Sequence, residues 1–188
     1  MREKETTSES GVIEPDNDTP LPDLISNIEA FIEALQAEEV SSYGNLISRL
    51  KLSPSDFEQY INFEDGSYTR NYIHREEKFE LILICWDCNI ETPIHSHGGQ
   101  QCWIYHLNGQ LEEQLFELDN NNQPKLKSTH LVSSNSISYM DDKMGFHTLK
   151  TMGNQRALSL HIYASPICQC KVYCNDRQRF IEEEIAMD

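Results

Sequence analysis

The sequence predicts a mainly β protein, a barrel or jelly roll preceded by a short helical region. Three observations carry this. From about residue 66 the chain is a series of short apolar or alternating runs at close spacing. Before that point apolar residues recur at helical spacing instead. Finally, His95-Ser96-His97 with His147 downstream suits a small barrel in which three imidazoles converge on one interior.

Residues 1–22 are polar and acidic, with Pro15, Pro20 and Pro22, and read as a disordered tail. Leu24, Ile25, Ile28, Phe31, Ile32 and Leu35 give an amphipathic helix. Tyr43, Leu46, Ile47 and Leu50 suggest a second. Ser53-Pro54 opens a third as N-cap and first helical residue, burying Phe57, Tyr60 and Ile61. Strands follow. Tyr68 to Ile73 alternates, and Phe79 to Trp86 is an apolar run that fits a buried strand. Cys102 to Leu107 leads into Asn108-Gly109, which predicts a tight hairpin with Gln110 to Glu117 returning from it. Asp119 to Pro124 reads as a loop. Further strands are expected near 129–132, 136–140, 146–151 and 157–163. The reading is one domain over 23–188, with helices in 23–64 and the barrel in 66–180.

The 188 residues carry 31 acidic and 15 basic side chains, a formal charge of −16. Such a surface repels phosphate backbones, which argues against nucleic acid as a partner. No run approaches the ~18 apolar residues of a membrane span. No apolar secretion segment opens the sequence, so a cytoplasmic protein with mostly free thiols is expected. Cys85 and Cys88 form a CxxC, and Cys168, Cys170 and Cys174 cluster near the end. A structural zinc site is the alternative to buried thiols there, and Cys85, ending an apolar run, favours the thiol. No obligate protein partner is evident.

On a strand, residues i and i+2 share a face, so His95 and His97 would point into one cavity. Neutral imidazoles suit zinc, copper, iron or nickel, and spacing does not choose among them. Two exposed histidines are the competing reading of the pair. Pro93, the glycines and His147 favour a ligand set. In Ala157 to Tyr163, Ser159, His161 and Tyr163 share one face opposite Leu158, Leu160 and Ile162. That stripe is either a polar cavity lining or a solvent-facing edge. Arg70, with Tyr68 on its face, offers a fork of donors matched to a carboxylate. His74, His106 and His130 are assigned to surface or core, His106 to an exposed hairpin end. Trp86 and Trp103 read as barrel packing.

Together these residues resemble the cysteine dioxygenase family of the cupin superfamily. The match runs from about Tyr68 to Cys170. It rests on Tyr68-Thr69-Arg70-Asn71, Leu83-Ile84-Cys85-Trp86, His95-Ser96-His97 with Cys102, Asn108-Gly109, Met144-Gly145-Phe146-His147 and Ser159-Leu160-His161-Ile162-Tyr163. The resemblance implies a cupin barrel (double-stranded β-helix, or jelly roll). It implies a non-haem iron(II) enzyme that adds both atoms of O2 to the sulfur of L-cysteine, giving cysteine sulfinic acid. Carried over, His95, His97 and His147 hold Fe(II). Arg70, helped by Tyr68, binds the substrate carboxylate. Tyr163 places its hydroxyl beside the iron, oriented by His161 and Ser159. Cys102 matches the cysteine that in some members forms a thioether bond to that tyrosine.

Three departures set further expectations. Cys102 lies five residues past His97, so a bulge at Gly98-Gly99 is needed to bring both to one face. Ala164-Ser165-Pro166 stands where the family typically has Ser-Pro-Pro, which leaves the loop after Tyr163 open. The chain ends soon after Phe180, so any longer C-terminal hairpin of the family is expected to be shortened or absent. The rival readings are a dioxygenase for another thiol such as 3-mercaptopropionate, whose relatives typically carry glutamine in place of Arg70, and a noncatalytic metal-binding cupin.

Overall fold

The computed structural model describes residues 23–185; the segment 1–22 read as a disordered tail lies outside them. Among the described residues two α-helices, α1 (Ile28–Ala37) and α2 (Tyr43–Ile47), and two 3₁₀ segments, Val40–Ser42 and Pro54–Tyr60, precede the strands. Helix α1 begins at Ile28 rather than Leu24, because Asn27 Oδ1 accepts the Ala30 N–H as its N-cap. Ile25 instead pairs with Leu50 in an isolated parallel bridge. The segment opened by Ser53-Pro54 is 3₁₀, not α, with Asp56 Oδ2 accepting the Ser53 N–H.

Ten strands follow: β1 (Tyr68–Arg75), β2 (Phe79–Trp86), β3 (Cys102–Asn108), β4 (Gln110–Leu118), β5 (Pro124–Ser133), β6 (Ile137–Met140), β7 (Phe146–Thr151), β8 (Ala157–Ala164), β9 (Gln169–Cys174) and β10 (Arg179–Glu184). They form a five-stranded sheet ordered β1-β2-β8-β3-β6, a three-stranded sheet ordered β5-β4-β7 and the ribbon β10-β9. All named pairings are antiparallel.

Asn108-Gly109 is not a hairpin. Strand β3 pairs with β8 and β6, whereas β4 pairs with β5 and β7. The dipeptide is a corner at which the chain passes from one sheet to the other. Gly109 has φ +78°, and a Cβ there would lie 2.6 Å from that of Ala157. A hairpin does close the C-terminal end, as β9 and β10 pair from Gln169–Glu184 to Cys174–Arg179.

Two apolar clusters sandwich the five-stranded sheet. Leu81, Leu83, Cys85, Trp103, Tyr105, Leu158, Leu160 and Ile162 meet Phe31, Leu35, Tyr43, Ile47 and Phe57 of the helical region. Each such fully buried side chain contributes about 1.5–3 kcal/mol. The opposite face, with Ile82, Ile84, Trp86, Cys102, Ile104 and Tyr163, lines the barrel interior with Leu111, Val132 and Leu149 of the second sheet. The strict alternation of β2, β3 and β8 thus places one set under the helices and the other in the barrel. No helix among the described residues is long and apolar enough to cross a membrane.

Candidate metal centre

The two histidines of His95-Ser96-His97 do not sit on a regular strand. His95 forms an isolated antiparallel bridge with His147 on β7, exchanging backbone hydrogen bonds of 3.0 and 3.1 Å, and a second bridge with Val172 on β9. His97 lies in the loop beyond, where Asp142 accepts both the His97 and Gly99 backbone N–H groups at 2.8 Å. That loop, not a bulge, reverses the parity between His97 and Cys102. Gly98 is required there: it has φ +60°, and a Cβ would lie 2.1 Å from the Gln169 carbonyl oxygen.

The backbone therefore brings His95, His97 and His147 together. One ring nitrogen of each lies within 4.8 Å of the others. His95 Nδ1 lies 2.9 Å from the Pro93 carbonyl oxygen, and His147 Nδ1 lies 2.8 Å from Glu113 Oε1. Both acceptors require a proton on Nδ1, which leaves both Nε2 atoms as lone pairs. Those two Nε2 atoms face each other at 3.2 Å. Opposed lone pairs at that distance repel, and a cation between them removes the repulsion. Two nitrogens each about 2.1 Å from one ion and at right angles lie about 3.0 Å apart, so the spacing fits. Burial holds the His95 imidazolium down to about pKa 3 and that of His97 well below its usual value, with His147 adding to both. The donor set is neutral nitrogen, the type that takes iron(II), zinc, copper or nickel.

Glu113 was not foreseen from the sequence, though it occupies an inward position of β4 between Leu111 and Leu115. It is 5% exposed. Burial alone would raise its pKa, but the hydrogen bond from His147 holds it below the usual carboxylate value. A carboxylate behind a metal-facing imidazole fixes tautomer and ring orientation. Glu113→Gln is expected to weaken metal binding about 10–100-fold, read by competition with a chelator, while the circular dichroism of the metal-free protein stays unchanged.

A cavity of about 960 Å³ opens beside the cluster, lined by Tyr68, Arg70, His95, His161, Tyr163 and Cys170 among others. Arg70 is on β1, and its Nε and Nη2 are buried without a hydrogen-bond partner in the protein. Burial opposes its charge, but Tyr163, which shares a hydrogen bond with it, together with Tyr72 and Tyr68 outweighs this, so its pKa is raised. Tyr68 packs against Trp86 with ring centroids 5.1 Å apart.

Strand β8 presents Ser159, His161 and Tyr163 to the interior, all under 5% exposed. Trp86 Nε1 donates to Ser159 Oγ at 2.8 Å, and Ser159 Oγ lies 3.0 Å from His161 Nε2. His161 Nδ1 is buried without a hydrogen-bond partner. His161 and Tyr163 stack at 6.3 Å without a mutual hydrogen bond. The Tyr163 phenol is held by Arg70 and Cys102 instead. Its pKa is raised by burial and by Cys102. Cys102 and Tyr163 are direct cross-strand neighbours in the β3–β8 register, and the ring of His97 lies 6.1 Å from that of Tyr163.

Two further readings are corrected or sharpened. His106 is buried at 2% exposure, because β3 alternates Cys102, Ile104 and His106 inward. It lies 3.3 Å from Ser138 Oγ, and burial lowers its pKa to about 4. Trp86 packs in the barrel as expected but also donates the hydrogen bond to Ser159. The cysteines are all free, with Cys85 fully buried under the helices. Among the described residues the three histidines are the cluster suited to a metal.

Solved structures share this architecture. A double-stranded β-helix domain protein from Klebsiella pneumoniae superposes with a TM-score of 0.51 at 12% identity, covering 61% of this chain and 86% of its own. Among sequences, cysteine dioxygenase type 1 of Danio rerio is 29% identical over 162 residues, covering 81% of this chain and 78% of that relative. The Homo sapiens cysteine dioxygenase type 1 is 28% identical over 159 residues with the same coverage. A sequence model of the family "cysteine dioxygenase type I" matches residues 12–177. The match contains the three histidines, the Arg70 strand and the whole Ser159–Tyr163 stripe, and the chain belongs to the cysteine dioxygenase type I family.

Proposed function

We propose that this chain is an iron(II) cysteine dioxygenase, converting L-cysteine and O2 to cysteine sulfinic acid. The observation that carries the reading is one cavity lined by Arg70, whose Nε and Nη2 no protein group accepts, and by His95, one of three converging imidazoles. The reaction balances without a further reductant: the thiol gains both oxygen atoms, sulfur gives up four electrons and O2 accepts them. When bound by His95, His97 and His147, iron(II) supplies the redox chemistry and favours the thiolate form of a coordinated thiol.

The protein's own residues do the rest. Nε and Nη2 of Arg70 receive the substrate carboxylate as a bidentate pair, with Tyr68 beside them. This holds the thiol at the cluster and supplies an orientation effect. Burial keeps the Tyr163 phenol protonated, ready to donate a hydrogen bond toward the reacting end of the substrate. Ser159, which accepts the Trp86 N–H, hydrogen-bonds His161 Nε2 and fixes that ring beside the same interior. Free cysteines and the lack of a membrane-crossing helix among the described residues support a cytoplasmic setting. We read residues 23–188 as one catalytic unit.

Oxygen uptake by the iron(II)-loaded protein, with L-cysteine and 3-mercaptopropionate in parallel and the product weighed, tests this. Cysteine-dependent uptake with sulfinic acid formed is expected. Uptake with 3-mercaptopropionate alone refutes the substrate, and uptake with neither refutes the enzyme. The Cys102–Tyr163 register further predicts a thioether between the two during turnover. Intact mass is expected to fall by two hydrogens after aerobic turnover, and not in Cys102→Ser.

A further inference from the structure

The loop that follows Tyr163 is tied to the end of the β1–β2 hairpin by three contacts. Ser165, with φ +73°, donates its backbone N–H to the Lys78 carbonyl oxygen at 2.8 Å. Ile167 donates its backbone N–H to Glu80 Oε2 at 3.2 Å. Arg75 Nη2 lies 3.7 Å from Cys168 Sγ. A non-glycine residue at positive φ costs about 1–3 kcal/mol and persists only where its surroundings hold it.

Glu80 is the unusual member of this set. It lies on β2 among apolar neighbours and is 0% exposed. Directly across the sheet stands Tyr163, in the β2–β8 register. Its other oxygen, Oε1, is 3.2 Å from Nη1 of Arg75, its cross-strand partner at the hairpin end. A carboxylate this buried is costly without partners, and here the Arg75 cation lies beside Oε1, outside hydrogen-bond geometry, while a backbone N–H donates to Oε2. The donor belongs to Ile167, which is itself buried at 3% and packs in the same interior cluster as Tyr163. Ile167 also lines the cavity that holds Arg70 and His95.

We propose that Glu80, held by Arg75, is a positioning residue: it fastens the loop after Tyr163 to the hairpin and so sets the place of the Tyr163 phenol and of the Ile167 wall against the three-histidine cluster. The Arg75–Glu80 pair is thus the local solution to Ala164-Ser165-Pro166, where the backbone turns through Ser165. The consequence for turnover rests on the dioxygenase reading above; the clamp itself does not.

Two variants separate the roles. Glu80→Gln keeps an oxygen to accept the Ile167 N–H. The double variant Arg75→Met, Glu80→Met removes the acceptor while leaving no unpaired charge, a replacement that folded proteins generally tolerate. Hydrogen exchange of segment 164–168 is measured on the metal-free proteins, then iron content, kcat and KM for L-cysteine on the loaded ones. In the double variant Ile167 is expected to exchange about tenfold faster or more. Its kcat should fall about tenfold or more at unchanged iron content, with KM within about threefold. Glu80→Gln should stay near wild type in both readouts. Unchanged exchange at 164–168 in the double variant, or unchanged kcat, overturns the proposal. A folded Glu80→Gln with Ile167 still protected but kcat lost also overturns it, since the charge rather than the tether would then matter. If wild type turns over no thiol, the functional reading fails while the exchange data still decide the clamp.

Discussion

His147→Ala is expected to leave a protein that retains no iron through gel filtration and turns over no thiol. The change removes one of three ring nitrogens that lie within 4.8 Å of one another. It also strands Glu113, whose Oε1 sits 2.8 Å from His147 Nδ1 in the barrel interior. A buried acceptor without its donor costs about 1–3 kcal/mol, more when charged. The metal-free variant should therefore melt below metal-free wild type. Adding Glu113→Gln to His147→Ala should recover part of the melting temperature and none of the iron, which separates folding from metal binding. Metal analysis and calorimetry on the three proteins check this. An iron-loaded, active His147→Ala protein would overturn the ligand set.

Arg70→Gln carries the second large effect. The guanidinium presents two buried N–H groups, on Nε and Nη2, that no protein group accepts. A carboxylate satisfies both, and each charge-assisted hydrogen bond is worth about 1.5–3 kcal/mol. Glutamine offers one neutral amide on a shorter side chain. The kcat/KM for L-cysteine should fall about a hundredfold or more, since each 1.36 kcal/mol is tenfold. Part of that loss should appear in kcat, because Arg70 also holds the Tyr163 phenol. Cysteamine, which has no carboxylate, should be affected far less, so the preference for cysteine collapses. A variant that keeps full cysteine affinity would sink the carboxylate assignment.

Alternation carried most of the fold. Strands β1 and β8 are legible from residues that differ at period two, β2 from an unbroken apolar run, and the same period places Ser159, His161 and Tyr163 inside. The period also places His106 inside with Cys102 and Ile104, against the exposed hairpin end that Asn108-Gly109 suggests. Asn108-Gly109 shows the limit of local signals. A tight hairpin and a corner between sheets ask for the same dihedral freedom, and only the long pairing of β3 with β8 decides between them. Strands β9 and β10 were not foreseen, although Cys170, Val172 and Cys174 alternate ahead of the polar turn Asn175-Asp176. At the site, the histidines, Arg70 and Tyr163 were legible through the family's motifs. Their supports, Glu113, Asp142 and Glu80, were not, since each acts on a residue more than thirty positions away.

The bridge between His95 and His147 has a consequence for how the protein is supplied with metal. Backbone hydrogen bonds of 3.0 and 3.1 Å tie the main chains of these two ligands to each other. A site already assembled from neutral nitrogen spends little of its binding energy on ordering the chain, and so has little means to refuse the wrong ion. For such donors affinity rises from iron(II) through nickel to copper, with zinc also above iron. Iron should therefore be the weakest competitor in an equilibrium mixture of these ions, a ranking that displacement titrations on metal-free protein can check. Loading with iron then depends on which ions the surroundings leave free at the time the barrel closes, and mismetallated protein would be fully folded and inactive.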